Sequence, residues 1–300
     1  MVSIEDGEIK GITDFLDYTN NEYAKRELEK IVNSKTLSKD AIVERQEIIK
    51  WLLHFIDKID VLTYFKTEMR DVYELTASFD GNKNITTVSF LFQRKDYQNW
   101  EDKMKLSVIL LFKIIRFLNL FYDNKIDHPF KKKISEMISF LNKFGIQRLY
   151  ISIQENKITL KQVKYFYETL SDVNKSKQFL NFWNEFFYFE ALISIAVSIK
   201  RNGFNFPVIS DHTLVIEDFY YPLLNIEGVV KNSVNIDKNV ILLTGPNMSG
   251  KSTLLKAMGA CIFLANIGLA IPAKSAVIPF YKNIFIFLDH SDDMSNGLSH

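Results

Sequence analysis

The sequence predicts an α + α/β protein, in which an all-helical region over residues 1–205 precedes the opening part of a mixed α/β domain over residues 206–300. Three observations carry this reading. First, 25 Phe and 13 Tyr stand beside only 11 Gly and 6 Pro in 300 residues, a balance that favours long regular elements over loops. Second, apolar residues recur at helical spacing through most of the first two hundred positions. Third, the texture changes after Phe206. Short apolar runs punctuated by Pro207, Pro222, Gly228 and Asn239 lead into the continuous run Val240-Ile-Leu-Leu243 and a glycine-rich loop.

Taken in order, Leu28, Ile31 and Val32, then Ile42, Ile48, Ile49, Leu52 and Leu53, flank the polar break NSKTLSKD and predict a helical hairpin over Asp14 to Phe55. A second hairpin is expected over Asp57 to Leu75. The turn signal Asp80-Gly81-Asn82 follows, and then ITTVSFLF, whose pattern suits either a strand or a buried helical segment. From Trp100 to Arg201, aromatic-rich helical runs alternate with polar breaks at Asp123 to Pro129 and around Gln154 to Thr159, giving at least three helices. Leu106 to Tyr122 is the most apolar run. Lys113 and Arg116 interrupt it, and it is shorter than the ~20 apolar residues that a membrane span needs, so it reads as a core helix. A last helix over Val173 to Lys200 carries Phe179, Trp183, Phe186, Phe187, Leu192 and Ile195 and stops at Asn202-Gly203. Val240 to Leu243 is predicted to be a buried strand.

The chain carries 37 basic and 36 acidic residues, for a formal net charge of +1. Within it, residues 125–201 hold 13 basic against 7 acidic side chains, and residues 1–100 hold 14 against 18. The basic middle, with Lys131-Lys132-Lys133, suits either a phosphate-facing surface or a solvated helix face. Cys261 has no partner for a disulfide, and Glu5, Asp6 and Glu8 stand where a signal peptide needs a basic start. A cytoplasmic protein with no membrane partner is expected. His54, His128, His212, His290 and His300 are scattered, so no zinc site is predicted, and Cys261 is expected in the core.

The chemistry lies at Gly245-Pro246-Asn247-Met248-Ser249-Gly250-Lys251-Ser252, which matches GxxxxGK[ST] at every fixed position between a predicted strand and a predicted helix. Backbone N–H groups of such a loop, with the N-terminus of the helix that follows, make a concave anion site. Lys251 would reach the β- and γ-phosphates of ATP, and the Ser252 hydroxyl would complete a Mg²⁺ shell. ATP and Mg²⁺ are the expected cofactors.

The residues inside the motif go further. Thr244 to Thr253 (TGPNMSGKST) resembles the phosphate loop of the MutS mismatch-repair ATPases. Ile271-Pro-Ala273 looks like the family's VPA segment, and Ile284-Phe285 followed by Ser291 to Ser299 (SDDMSNGLS) looks like its signature stretch. Upstream, Tyr221-Pro222-Leu223-Leu224 sits where the family has His-Pro, and Val229, Val230 and Asn232 sit in its adenine-packing segment. Tyr221, Phe287 and Asp289 depart from the family's residues, as does Val229, near which an aromatic is common. Asp17-Tyr-Thr-Asn, Ala24, Leu28, Leu37, Ile42, Arg45-Gln46 and Leu52-Leu53 are similar to the start of the MutS core domain. Phe189-Glu-Ala-Leu192 through Phe206-Pro207 is similar to the end of its lever helix.

The resemblance implies a helical core/lever domain over 1–205 followed by an incomplete P-loop ABC-type ATPase domain over 206–300, with Walker A present and Walker B absent. It implies an ATPase, yet no strand ending in Asp-Glu follows Ser252, so the chain is expected to be a truncated product or fragment that binds nucleotide. It also implies a homodimer around double-stranded DNA, whether mismatched, junction or general duplex. Lys251 and Ser299 are then the candidate catalytic residues, with Ser299 contacting the nucleotide of the other protomer, and Asp292 and Asp293 shape the loop before it. The binding set is Gly245, Pro246, Asn247, Met248, Ser249, Gly250, Lys251, Ser252 and Thr253, with Val229, Val230 and Asn232 at the base, and Ser252 is the metal ligand. Nucleotide-gated DNA binding without hydrolysis, or another ABC-type P-loop ATPase, are the other readings.

Overall fold

The structure is a computed structural model that describes residues 2–3, 6–34, 37–57, 62–79, 94–224, 229–246 and 249–285. It is α + α/β: helices with a small mixed sheet. Helices α1 (Asp6–Leu16), α2 (Glu22–Val32), α3 (Lys39–Leu53), α4 (Lys66–Ser78), α5 (Arg94–Tyr122), α6 (Lys131–Asn142), α7 (Ile146–Gln154), α8 (Leu160–Lys175) and α9 (Gln178–Asn202) precede the sheet. The change from helix to mixed α/β falls between Asn202 and Val208, but compactness divides the chain elsewhere. One unit comprises Met1–Thr19, Lys25–Ile56 and Ala191–His300, and the other comprises Asn20–Ala24 and Asp57–Glu190. Helix α9 contributes its two halves to different units.

In the second of these units, α5 packs on α4, α6, α7 and α8, and the aromatic residues supply the core. Trp183 is fully buried, lies within stacking distance of Phe187 at 5.3 Å, and satisfies its indole N–H by donating to Thr76 Oγ1 at 2.8 Å. Asn174 Nδ2 donates to the Thr76 and Phe79 carbonyls, fastening the end of α8 to the end of α4. Helix α8 begins with a capping box, in which Thr159 Oγ1 accepts from the Gln162 N–H and Gln162 Oε1 accepts from the Thr159 N–H.

Here the structure corrects two expectations. The last long helix does not start at Val173: Lys177 takes φ 55°, a left-handed residue that separates α8 from α9. Among the described residues of the expected hairpin over Asp57 to Leu75 there is one helix, α4, preceded by irregular backbone at 62–65. The ITTVSFLF segment lies outside the described residues. Helix α9 is long and apolar enough to cross a membrane, with mean hydropathy 1.2 over its best window, but 78% of that window is buried, as in a core helix.

In the unit that holds the P-loop motif, β2 (Val208–Ser210), β3 (Leu214–Phe219), β4 (Asn232–Ile236) and β5 (Ser275–Pro279) form a sheet in the order β2-β5-β3-β4. β2 and β5 are parallel, with Val208 opposite Val277, and the other pairs are antiparallel. Helix α10 (Lys251–Asn266) packs on β3. β1 (Val2–Ser3) pairs in parallel with β6 (Ile284–Phe285). Ser194 Oγ, on the second half of α9, donates to the Leu16 carbonyl and accepts from the Tyr18 N–H, and Phe15 stacks on Phe204 at 5.6 Å.

The predicted strand at 240–243 is not a strand. Val240 is 86% and Leu242 85% exposed, and the backbone from Val240 to Pro246 is irregular. A strand needs a neighbour to take its N–H and C=O groups, and none of the described strands lies beside this run.

Candidate nucleotide-binding site

The site is built at the start of α10. Gly250 is the residue before the helix, at φ 85°, and open space surrounds the position where a Cβ would sit. Glycine is therefore required by the backbone turn rather than by crowding. At Gly245 a Cβ would lie 3.0 Å from Ser249 Oγ, a tight approach to a side chain that can turn aside. The first turn of α10 holds no acidic residue and its N-terminus receives no side-chain cap. N–H groups at a helix start, at the positive end of the helix dipole, suit an anionic acceptor, and Gly250 has no side chain to supply one.

Lys251 folds back over the loop. Its Nζ donates to the Gly245 carbonyl at 2.9 Å and the Pro246 carbonyl at 2.6 Å. Gly245, Pro246, Ser249 and Gly250 are exposed, and Lys251, Ser252 and Thr253 are half-buried. These seven of the expected residues stand together at the head of α10, where they offer an ammonium, the hydroxyls of Ser249, Ser252 and Thr253, and backbone N–H groups. That donor set fits a polyphosphate. Among the described residues no cluster of three or more His, Cys, Asp or Glu could hold a metal.

Asn247, Met248, Asp292, Asp293 and Ser299 lie outside the described residues. Val230 is exposed, Val229 is half-buried, and Asn232 opens β4 with its Nδ2 donating back to the Val230 carbonyl at 3.2 Å. Two of the three lysines of the run are engaged locally: Lys131 Nζ donates to the Asn124 carbonyl, and Lys133 pairs with Glu185 at 3.5 Å. This favours the solvated-face reading of the run.

Beneath the loop the helix is buried through Ala257, Ala260, Cys261, Phe263, Leu264 and Ala265, and burial pushes the Cys261 thiol well above its ordinary range. Two polar features escaped the sequence reading. Arg45, on α3, donates through Nη1 to the Ile267 carbonyl at 2.6 Å, at the far end of α10. In the other unit, buried Glu190 accepts from Tyr64 Oη (2.7 Å) and Asn21 Nδ2 (2.8 Å), while Asn21 Oδ1 caps the start of α2 through the Ala24 N–H. Burial raises the Glu190 carboxyl to about 7 against the opposing effect of these two hydrogen bonds, and burial also raises the Tyr64 phenol. Arg45 showed in the sequence only as part of the MutS-like Arg45-Gln46 pair. A lone Asn and Glu 169 positions apart carry no sequence signal.

A family model for MutS domain V matches residues 241–300. The DNA mismatch repair protein MutS of Thermotoga maritima is 29% identical over 154 residues, covering 50% of this chain and 19% of that protein. MutS of Leuconostoc mesenteroides is 35% identical over 117 residues, covering 37% of this chain and 14% of its own length, and MutS of Protochlamydia amoebophila is 36% identical over 118 residues with the same coverage. This chain therefore spans less than a fifth of the length of these curated relatives. The GxxxxGK[ST] motif at the start of α10 lies within the domain V match, and these similarities relate that part of the chain to the MutS proteins.

Proposed function

We propose that this MutS-like protein binds ATP at the 245–253 loop and DNA elsewhere, in DNA mismatch repair or related processing of DNA structure, with nucleotide state setting the geometry of a dimeric clamp. The observation that carries the reading is the Lys251 ammonium, held 2.9 and 2.6 Å from two carbonyls of a loop that opens onto an uncapped helix N-terminus. Lys251 would exchange those carbonyls for phosphate oxygens, the N–H groups at the head of α10 would take up further phosphate charge, and the Ser252 hydroxyl would serve as the protein's ligand to Mg²⁺. Mg-ATP supplies the labile phosphoanhydride. In a homodimer, Ser299 of one protomer would cap the nucleotide of the other. Duplex DNA would be held mainly through its backbone, so its affinity would fall steeply with salt.

Titration of the chain with a fluorescent ATP analogue and Mg²⁺ tests the reading. Saturable binding that Lys251→Ala weakens more than about tenfold, the loss of a charge-assisted contact, supports it, and equal behaviour of the two proteins sinks it.

A second reading is nucleotide-gated DNA binding without hydrolysis, in which the 245–253 loop binds Mg-ATP and releases no phosphate. Phosphate release by the purified chain, lost in Lys251→Ala, would exclude that second reading.

A further inference from the structure

Helix α10 is held firmly at the end opposite the phosphate loop, and the residues that hold it come from far away in the sequence. Arg45 Nη1 meets the Ile267 carbonyl at 2.6 Å, where the last carbonyls of a helix carry the negative end of its dipole. A guanidinium stays charged at any physiological pH, so this is a charge-assisted cap. Gly268, next in the chain, has φ +78°, and a Cβ there would lie 3.1 Å from both the Ile42 carbonyl and Arg45 Cβ. The backbone of α3 thus presses directly on the turn that ends α10. Asn266, fully buried in the last turn, accepts the Tyr281 N–H at 3.1 Å. Helix α3 is anchored in turn: Lys39 pairs with Asp211, Gln46 Nε2 donates to the Pro207 carbonyl, and Lys50 sits over the Phe206 ring at 5.3 Å.

We propose that Arg45 is a positioning residue for the phosphate loop, holding α10 by its C-terminal end so that nucleotide at the N-terminal end is registered by α3. The proposal rests on the nucleotide-binding reading above. A 16-residue helix is a rod of about 24 Å, and its buried faces leave it little freedom to bend. A shift of Lys251 and Gly250 towards phosphate is therefore passed along the axis to Ile267. There it meets a bidentate-capable cation fixed on a second helix rather than water.

Hydrogen exchange of the wild type, Arg45→Ala and Arg45→Lys, each with and without Mg-ATP, tests this. Without nucleotide, Arg45→Ala should speed exchange in the last turn of α10 about tenfold, the loss of one hydrogen bond to a charged group. With nucleotide, protection should spread into α3 in the wild type and fail to do so in Arg45→Ala, whose Mg-ATP affinity should fall only about fivefold, the low end of ordinary coupling between sites. Arg45→Lys keeps the charge and the packed stem. It should restore part of the spread, and it serves as the test variant if Arg45→Ala does not fold. Equal protection of α3 by nucleotide in all three proteins overturns the proposal while leaving nucleotide binding intact, and unchanged exchange at the end of α10 overturns it equally. A wild-type chain that binds no nucleotide overturns both readings.

Discussion

The Lys251 ammonium lies 2.6 Å from the Pro246 carbonyl oxygen and 2.9 Å from that of Gly245, so the free loop already satisfies its own cation. A phosphate bound there, as proposed, would have to compete for it. Because these contacts are exposed, they contribute little to folding, and Lys251→Ala should change the unfolding free energy by no more than about 0.5 kcal/mol. Urea denaturation checks this, and a loss of several kcal/mol would mean that the lysine is structural.

The two glycines that bracket α10 should differ in cost. Gly250→Ala meets open space, so only its left-handed backbone is penalised, by about 1 kcal/mol. Gly268→Ala adds a clash with backbone at Ile42 to the same strain and should cost about 2–3 kcal/mol. Equal losses in calorimetry or denaturant titration would contradict the close approach of α3.

Glu190 should make stability fall as pH rises. The unfolded carboxyl loses its proton near 4.5, while the folded one keeps it until about 7. Between those values the unfolded chain has released a proton that the folded chain still holds. The contribution is therefore complete below pH 4.5 and declines through pH 7, by about 3 kcal/mol at most. Glu190→Gln keeps the shape and cannot ionise, so the difference in unfolding free energy between the two proteins should move in the variant's favour from pH 5 to pH 8. A difference independent of pH would show that Glu190 is already ionised in the fold.

Cys261 is fully buried and its thiol is raised by that burial. Modification by an aromatic disulfide reagent should proceed no faster than unfolding. Rapid labelling of the native chain would place the middle of α10 at the surface.

Leu242 and Ile216 provide a contrast between expectation and structure. Leu242→Ser should cost less than about 0.5 kcal/mol, because the side chain is already 85% exposed, whereas Ile216→Ala, in the core on β3, should cost about 2–4 kcal/mol. A large loss at Leu242 would restore the buried strand that the sequence suggests.

Local physics explains what could be read in advance. The break between α2 and α3, the start of α8 at Thr159 and the end of α9 before Gly203 each rest on interactions within a few residues, so composition at those points suffices. The same holds for the phosphate loop, whose glycines and lysine act on their own backbone. The left-handed turn at Lys177 was missed because lysine gives no sign of it. The run Val240 to Leu243 misled because an apolar stretch shows that burial is favourable and says nothing about whether a partner strand is present.

By itself, then, the sequence determined the helical periodicities, the change of texture after Phe206 and the glycine-lysine head of α10, because each is written within one or two turns of chain. Tertiary structure alone decided the sheet order β2-β5-β3-β4, the enclosure of Glu190 by Asn21 and Tyr64, and the cap that Arg45 places on Ile267. Those depend on groups up to 222 positions apart, and which donor reaches which acceptor is settled only when the cores pack and exclude water from both.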